Sequence, residues 1–428
     1  MLVEGGIPGE DVEVSVRYRK GATSFAEVVR VLEASPHRVT PPCPYVPKCG
    51  GCQLQHIAYS HQVELKRDIV LDALRRQHIE HPAPRLHAVD DPWRYRLRGE
   101  FHVIPGTEST PPALGFNRAR SWRPIAVDDC LIHHPRITTA LPALRGLLNS
   151  SATHALGTLH LTVGEEGQEL LIHAKPAKGL AAGALDGGLD LPDAGRVSTT
   201  STTLRWRGMT FRVTPDAFIQ VNWAQMDVLY QCAIDALGDY ASLRVVDAYA
   251  GIGVLACHLA AGAREVVCIE SNRGAAQLGV LNARVNDVAE RMHFVLSPVE
   301  DALPRVGAAE MADMVILDPP RAGCSGRVTG WLALAGPERV VYVSCDPATL
   351  ARDLHTLVAS GPYRVDSLDV VDMFPQTYHV ETVVQLTRTQ APPDGEGPEP
   401  SATPEQYPQS TRRPVAVDCD AVSDRGQH

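Results

Sequence analysis

From Phe218 to Arg388, short and almost wholly apolar runs recur between segments of helical spacing: LRVVDAYAG, REVVCIES, RMHFVLS, ADMVILDPP and ERVVYVSCD. Runs this short, with neighbouring residues apolar on both faces, are predicted to be strands covered on both sides. Their alternation with helices points to a parallel, doubly wound α/β sheet. Two last runs, YRVDSLDVVDMF and HVETVVQLTR, are expected to finish it as a hairpin around a Pro-containing turn. In such a sheet functional groups gather beyond the carboxyl ends of the strands. The residues that stand there are Gly251, Glu270, Asp318 and Cys345.

VVDAYAGIGVLACHLA joins a strand to a helix through Gly251-x-Gly253, where glycine allows a sharp turn and a close approach to a ligand. Glu270 ends the next strand, nineteen residues after Gly251, where a carboxylate can accept hydrogen bonds from a ribose. The pattern fits a dinucleotide, S-adenosylmethionine or a plain structural turn. Asp318-Pro319-Pro320-Arg321 and Ser344-Cys345-Asp346 end the fourth and fifth strands of the series. A buried cysteine is most often a core residue, but one at a strand end between Ser and Asp is placed to react.

The N-terminal half differs. VEVSVRYR and FAEVVRVLEA flank Lys20–Gly21 as a hairpin, too small to stand alone and expected to belong to a small β-barrel. Tyr59 to Gln77 has helical spacing, and Trp93 to about Arg212 is expected to be a mixed, β-rich domain. Between hairpin and helix lies CPYVPKCGGCQLQH, with Cys43, Cys49 and Cys52; Cys130, in DDCLIHHP, is the natural remote fourth. The N-terminus lacks the form of a signal peptide, and no apolar run reaches the roughly eighteen residues of a membrane helix. A cytoplasmic location follows as the expectation, and clustered thiols there bind metal or react more often than they pair. Four thiolates suit tetrahedral zinc or a [4Fe–4S] cluster, and the residues alone leave both open. His133 and His134 could replace a ligand but read more simply as surface histidines.

The net charge of −10 disfavours a nucleic-acid partner, yet it is uneven. Residues 390–428 hold seven acids against three arginines and are expected to be a disordered acidic tail. Pro92 to Ile125 holds Arg94, Arg96, Arg98, Arg118, Arg120 and Arg123 against only Glu100 and Glu108, enough for a basic face.

LDPPRAG, VSCDPATLARDL and MFPQTYHVET resemble the signature motifs of the RNA uridine-5-methyltransferase family, and CGGCQLQH with YRLRGEF resembles its iron–sulfur-containing bacterial branch, which methylates 23S ribosomal RNA. The resemblance spans about Val3 to Arg388. It implies a class I, Rossmann-like methyltransferase domain at 213–389, a central β-rich domain with the cluster at 36–212, whose helix 59–77 packs on the catalytic domain, and a partial TRAM-like RNA-binding barrel at 1–35. It implies methyl transfer from S-adenosylmethionine to carbon 5 of a uridine, through a covalent adduct of a cysteine with carbon 6. Cys345 then matches the nucleophile and Glu381 the general base; Gln220, Tyr249, Gly251, Glu270 and Asp318 match the cofactor site. Cys43, Cys49, Cys52 and Cys130 match the cluster ligands, which favours iron–sulfur over zinc. Tyr249 and Ala250 depart from the family's usual phenylalanine and cysteine. The expected partner is RNA, 23S ribosomal RNA first and tRNA as the alternative, met by a monomer with no membrane association. An RNA-binding protein with an inactive methyltransferase domain is the competing class, and the presence of both Cys345 and Glu381 counts against it.

Overall fold

The computed structural model describes residues 1–148, 156–164, 167–177, 196–309, 312–389 and, as backbone, 415–416. Apart from that last pair, the acidic tail lies outside the described residues. Alternating β-branched and charged residues give strands β2 (Asp11–Lys20) and β3 (Thr23–Glu33), turning at Gly21 with φ +56°. A further strand, β1 (Leu2–Glu4), pairs parallel with β3, so the sheet runs β1-β3-β2. Glu10 ties its end: the carboxylate accepts from Arg38, Ile7 N and Ser35 N, and the Arg38 guanidinium foremost holds it down to about 2.

After helix α1 (Tyr59–Arg76) and strand β4 (Arg85–His87) comes a six-stranded sheet. Its strands are β5 (Arg98–Ile104), β6 (Ala113–Asn117), β7 (Pro124–Ala126), β8 (Leu156–Gly164), β9 (Glu169–Pro176) and β10 (Arg196–Ser198), in the order β10-β9-β8-β5-β6-β7. Helix α2 (Pro135–Leu147) covers it, burying Ile137, Leu141 and Leu144 with Phe101, Leu114 and Leu161. This helix was not expected within the β-rich stretch. Its apolar period is broken by Thr138, Thr139 and an internal Pro142, while Pro135 at its first turn and His134, which accepts from Arg136 N, start it.

The hairpin of β11 (Thr202–Trp206) and β12 (Met209–Val213) leads into helix α3 (Trp223–Leu237) and the nine-stranded sheet. Five strands are parallel: β13 (Arg244–Ala248), β14 (Glu265–Glu270), β15 (Met292–Leu296), β16 (Met314–Leu317) and β17 (Arg339–Ser344). Helices α4 (Val254–Ala260), α5 (Arg273–Val285), α6 (Val299–Ala309), α7 (Gly326–Ala335) and α8 (Pro347–Leu354) connect and cover them. Strands β18 (Tyr363–Val371) and β19 (Glu381–Arg388) form an antiparallel hairpin, with β19 against β17. β4 extends the β18 edge, and β20 (Val415–Ala416) extends the β15 edge, giving β20-β15-β14-β13-β16-β17-β19-β18-β4.

All five β13 residues are buried, and the period-two alternation sends Val245 into one core and Val246 into the other. The first core holds Leu229 of α3, Leu255 of α4 and Phe294 of β15. The second holds Val70 and Leu74 of α1, Leu303 of α6, Leu332 of α7 and Leu350 of α8. Each such fully buried side chain contributes about 1.5–3 kcal/mol, which makes the carboxyl edge a rigid base for a site. Among the described residues no helix is long and apolar enough to cross a membrane.

Candidate active site and thiol centre

The glycine loop follows β13. Tyr249 and Ala250 both donate their N–H to Ile269 O, at 3.0 and 3.1 Å, which turns the chain back across β14. Tyr249, Gly251 and Gly253 all have positive φ, of 71°, 55° and 78°. At Gly253 the left-handed backbone is what demands glycine; a Cβ there would also stand 2.5 Å from the mobile tip of Met292. At Gly251 a Cβ would meet nothing within 4 Å, so that face of the loop is open. Glu270 braces the loop: Gly251 N donates to Oε2 at 2.9 Å and Asn272 N to Oε1 at 2.6 Å. The Tyr249 hydroxyl lies 4.0 Å from Cys324 Sγ.

Three carboxyl groups converge beside this loop. Asp318 follows β16 and is pushed up to about 7 by burial. Asp247, within β13, reaches about 7 through burial and then the charges of Asp318 and Glu270. Glu381 is driven well above the usual range by burial and then Asp318, with Arg321 opposing. The Tyr230 phenol on α3 is raised by burial and then by the charges of Asp318, Asp247 and Glu381. Gln220 is buried in the segment before α3. Leu97 N, donating to Val221 O at 2.8 Å, and Asn222 Nδ2, donating to Met373 O at 3.2 Å, hold that segment.

Cys345 lies where β17 passes into α8. Ser344 pairs with Thr382 in the last rung of the antiparallel β17–β19 ladder, so Cys345 and Glu381 each lie one residue beyond it. Thr382 Oγ1 donates to Ser344 O at 3.2 Å and pins that rung. Asp346 caps α8, accepting from Ala348 N and Thr349 N at 3.0 Å. A helix N-terminus favours a thiolate, yet burial and then Glu381 and Asp318 push Cys345 up to about 11, with Arg321 opposing. The site by itself therefore does not assist ionisation, contrary to the demand that a nucleophilic thiol makes. Arg321 Nη2 stands 3.1 and 3.2 Å from the two ring nitrogens of His379, and burial with Arg321 brings that imidazole down to about 4, leaving it neutral.

Sequence reasoning missed Asp247, Tyr230, Arg321 and His379 as members of this group. Asp247, in VVDAYAG, Arg321, after Asp-Pro-Pro, and His379, two residues before Glu381, sit inside quoted motifs and could have been found. Tyr230 carries no such signal, since an aromatic on an apolar helix reads as core.

Cys43, Cys49, Cys52 and Cys130 line one cavity of about 70 Å³, together with Arg96, Phe116, Asp129 and His133. All four thiols are free. Burial, and then the neighbouring thiols, push Cys52 up to about 12 and Cys130 up to about 11. Thiols so placed give up their protons to a bound cation. Arg94 grips Asp129 through two bonds of 2.6 and 2.7 Å, and Asp129 Oδ1 accepts from Cys130 N at 2.7 Å, which fixes the remote cysteine. His133 is no surface residue: it is buried against Phe101 and Phe116, its Nδ1 3.1 Å from Cys130 Sγ, and burial brings it down to about 3. The four-thiol set in a closed pocket fits a four-thiolate centre.

A second group, His87, Cys232 and Asp369, brings its ligand atoms within 4.8 Å of one another. Arg85 binds both Asp369 oxygens at 2.7 and 2.6 Å and His87 Nε2 takes one at 2.7 Å, so this is an ion-pair network.

A family description, tRNA (Uracil-5-)-methyltransferase, matches residues 198–389. The chain is 34% identical to an RNA methyltransferase of Gloeobacter violaceus, over 91% of this chain and 92% of that one. It is 32% identical to another of Thermosynechococcus vestitus, over 90% and 93%. Among solved structures, the Pyrococcus abyssi tRNA (uracil-54, C5)-methyltransferase in complex with S-adenosyl-L-homocysteine shares the fold, with a TM-score of 0.69, 24% identity and coverage of 90% of this chain and 95% of that one.

Proposed function

This chain belongs to the S-adenosylmethionine-dependent RNA (uracil-5-)-methyltransferase family, and we propose that it methylates carbon 5 of a uridine in 23S ribosomal RNA through Cys345 and Glu381. The observation that supports the mechanism is the end of the β17–β19 ladder at Ser344–Thr382, beyond which Cys345 and Glu381 follow one residue on, near enough for the Glu381 charge to act on the thiol.

Carbon 5 of uracil is a poor nucleophile. Addition of the Cys345 thiolate to carbon 6 makes the ring enolate-like and nucleophilic at carbon 5. S-adenosylmethionine, when bound, supplies an electrophilic methyl group on a positively charged sulfur. Glu381 then takes the proton from carbon 5, and the sulfur–carbon 6 bond breaks to return the thiol. A carboxylate with a raised proton affinity suits that last step. Arg321 is the cation that offsets negative charge at Cys345 and Glu381.

The cofactor site is proposed from Gln220, Tyr249, Gly251, Glu270 and Asp318. The open face at Gly251 and the acidic wall of Asp247 and Asp318 would receive a cationic ligand. Such a charge would draw the carboxyl groups toward ionisation and supply the help that Cys345 lacks alone. The target base would have to leave its stack to reach this crevice.

Cys43, Cys49, Cys52 and Cys130 are proposed to hold a [4Fe–4S] cluster, with zinc the alternative; either would cross-link the Cys43–Cys52 loop to Cys130. The three-stranded N-terminal sheet is proposed as part of an RNA-binding barrel, 36–212 as the cluster-bearing domain and 213–389 as the catalytic domain of a cytoplasmic enzyme. Mass mapping of 5-methyluridine in ribosomal and transfer RNA from a deletion strain tests this reading. Loss of one 23S site, restored by the wild type and not by Cys345→Ala, is expected. Loss from tRNA alone would move the substrate, and no loss would overturn the proposal.

A further inference from the structure

Four of the six arginines between Pro92 and Ile125 serve the protein itself. Arg94 holds Asp129, Arg96 lines the thiol cavity, and Arg120 pairs with Glu4 and Glu27. Arg98 donates to Thr162 Oγ1 and to the carbonyls of Thr214 and Ala217. Arg118 and Arg123 are exposed and have no carboxylate partner among the described residues. Between them in sequence stands Trp122, 92% exposed.

The turn carrying Trp122 is firmly built. Arg118 N donates to Arg123 O at 2.9 Å, Ser121 N to Arg118 O at 3.1 Å, and Arg123 N to Ser121 Oγ at 3.0 Å. Gly50 N donates to Asn117 O at 3.0 Å and Ala119 N to Lys48 O at 2.9 Å, which stitches the turn to the cysteine loop. The approach needs glycine, since a Cβ on Gly50 would lie 3.2 Å from Asn117 O. An indole left in water on a backbone this well bonded is displayed by the fold. A single exposed hydrophobic is common on a protein surface; what sets Trp122 apart is the groove it rims and the two arginines that flank it in sequence.

Trp122 rims an open groove of about 830 Å³ whose other walls include Gly50, Glu100, His102, Phe116 and Asn117. Aromatic faces, base-edge acceptors and donors such as Glu100 and Asn117, Arg118 on the groove wall and Arg123 next to Trp122, both without a carboxylate partner among the described residues, are together what single-stranded RNA requires. A protein partner would use the indole but would leave the two cations unanswered unless it were acidic.

We infer that this groove binds an unpaired stretch of the RNA substrate, with Trp122 stacked on a base and Arg118 and Arg123 on the neighbouring phosphates. The inference rests on the RNA-directed function proposed above and adds a second contact, outside the crevice at Cys345.

The test measures binding of the full chain to a short mixed-sequence single-stranded RNA and to a duplex of the same sequence. Trp122→Ala is expected to weaken single-strand binding by about tenfold or more, with little change for the duplex, and Trp122→Phe to recover most of it. Arg118→Gln with Arg123→Gln should flatten the slope of log affinity against log salt by about 1.4. An unchanged melting temperature in each variant excludes misfolding, because all three side chains are exposed. Unchanged single-strand affinity in Trp122→Ala overturns the inference and leaves the groove to a protein. Methyl transfer by the wild type is followed separately: its absence would sink the proposed function, whereas a failed Trp122 result would leave that function standing.

Discussion

Gln62 and Gln376, 314 positions apart, exchange two hydrogen bonds: Gln62 Nε2 donates to Gln376 Oε1 at 3.0 Å, and Gln376 N donates to the Gln62 side-chain oxygen at 3.1 Å. Gln62 Nε2 also reaches the carbonyls of Leu54 and Ile57, and Gln376 O accepts from Gln53 N and Leu54 N. The segment just after Cys52 is thereby bonded to the loop that delivers His379 and Glu381. Close by, Lys66 Nζ binds Asp372 at 2.6 Å and Phe374 O at 2.9 Å, with both side chains of the pair buried.

Gln62→Leu leaves Gln376 N without its acceptor and two carbonyls without their side-chain donor. A loss of about 1–3 kcal/mol is expected, together with slower methyl transfer at saturating RNA. Lys66→Met should cost more, about 3–5 kcal/mol, because it strands a buried Asp372 carboxylate. Denaturant melts of both variants check this, and a Gln62→Leu protein as stable as wild type would refute the latch.

With Cys345 raised to about 11 by burial and its acidic neighbours, its thiolate fraction should climb about tenfold per pH unit through the neutral range. Alkylation of Cys345 by iodoacetamide, followed by peptide mass mapping in ligand-free protein, is expected to keep accelerating past pH 9. Arg321→Gln should slow it further. A plateau near neutrality would show that something in the free site already ionises the thiol.

Asp318 gives a stability signature of known sign. Its carboxyl is raised in the folded chain from 3.8 to about 7, so it is protonated in both states at low pH. As pH rises from about 4 to 7 the unfolded chain releases the proton first, and the folded state loses stability. Asp318→Asn should match wild type near pH 4 and exceed it at pH 8 by up to about 4 kcal/mol, while weakening S-adenosylmethionine binding. Parallel pH–stability curves for the two proteins would contradict the assignment.

Anaerobically prepared protein is expected to be brown and to carry iron and sulfide, both lost in Cys52→Ser and Cys130→Ser along with several degrees of melting temperature. Stoichiometric zinc in the same material would replace the cluster in this account.

The parallel sheet was legible because strands buried on both faces cannot hide: RVVDA is apolar but for its first residue and one aspartate. Helix α2 was not, because its buried stripe of Ile137, Leu141 and Leu144 is interrupted by residues that favour other structures. Gly251, Glu270, Asp318 and Cys345 stand at strand ends, where position alone makes a polar residue conspicuous. Asp247 was passed over because it lies within a strand and not at its end, although VVDAYAG carried it in plain view. The Lys66–Asp372 pair was hidden because nothing in either segment announces a partner 306 residues away.

The nine-stranded sheet takes β4 and the packing of α1 from residues 59–87, and resumes only after the six-stranded sheet is complete. In chain order, the sheet that carries Cys130 is an insertion into the catalytic unit, leashed at both ends. A body on two leashes cannot swivel as one on a single linker can. Its two points of attachment, after β4 and before α3, are both held by the catalytic unit.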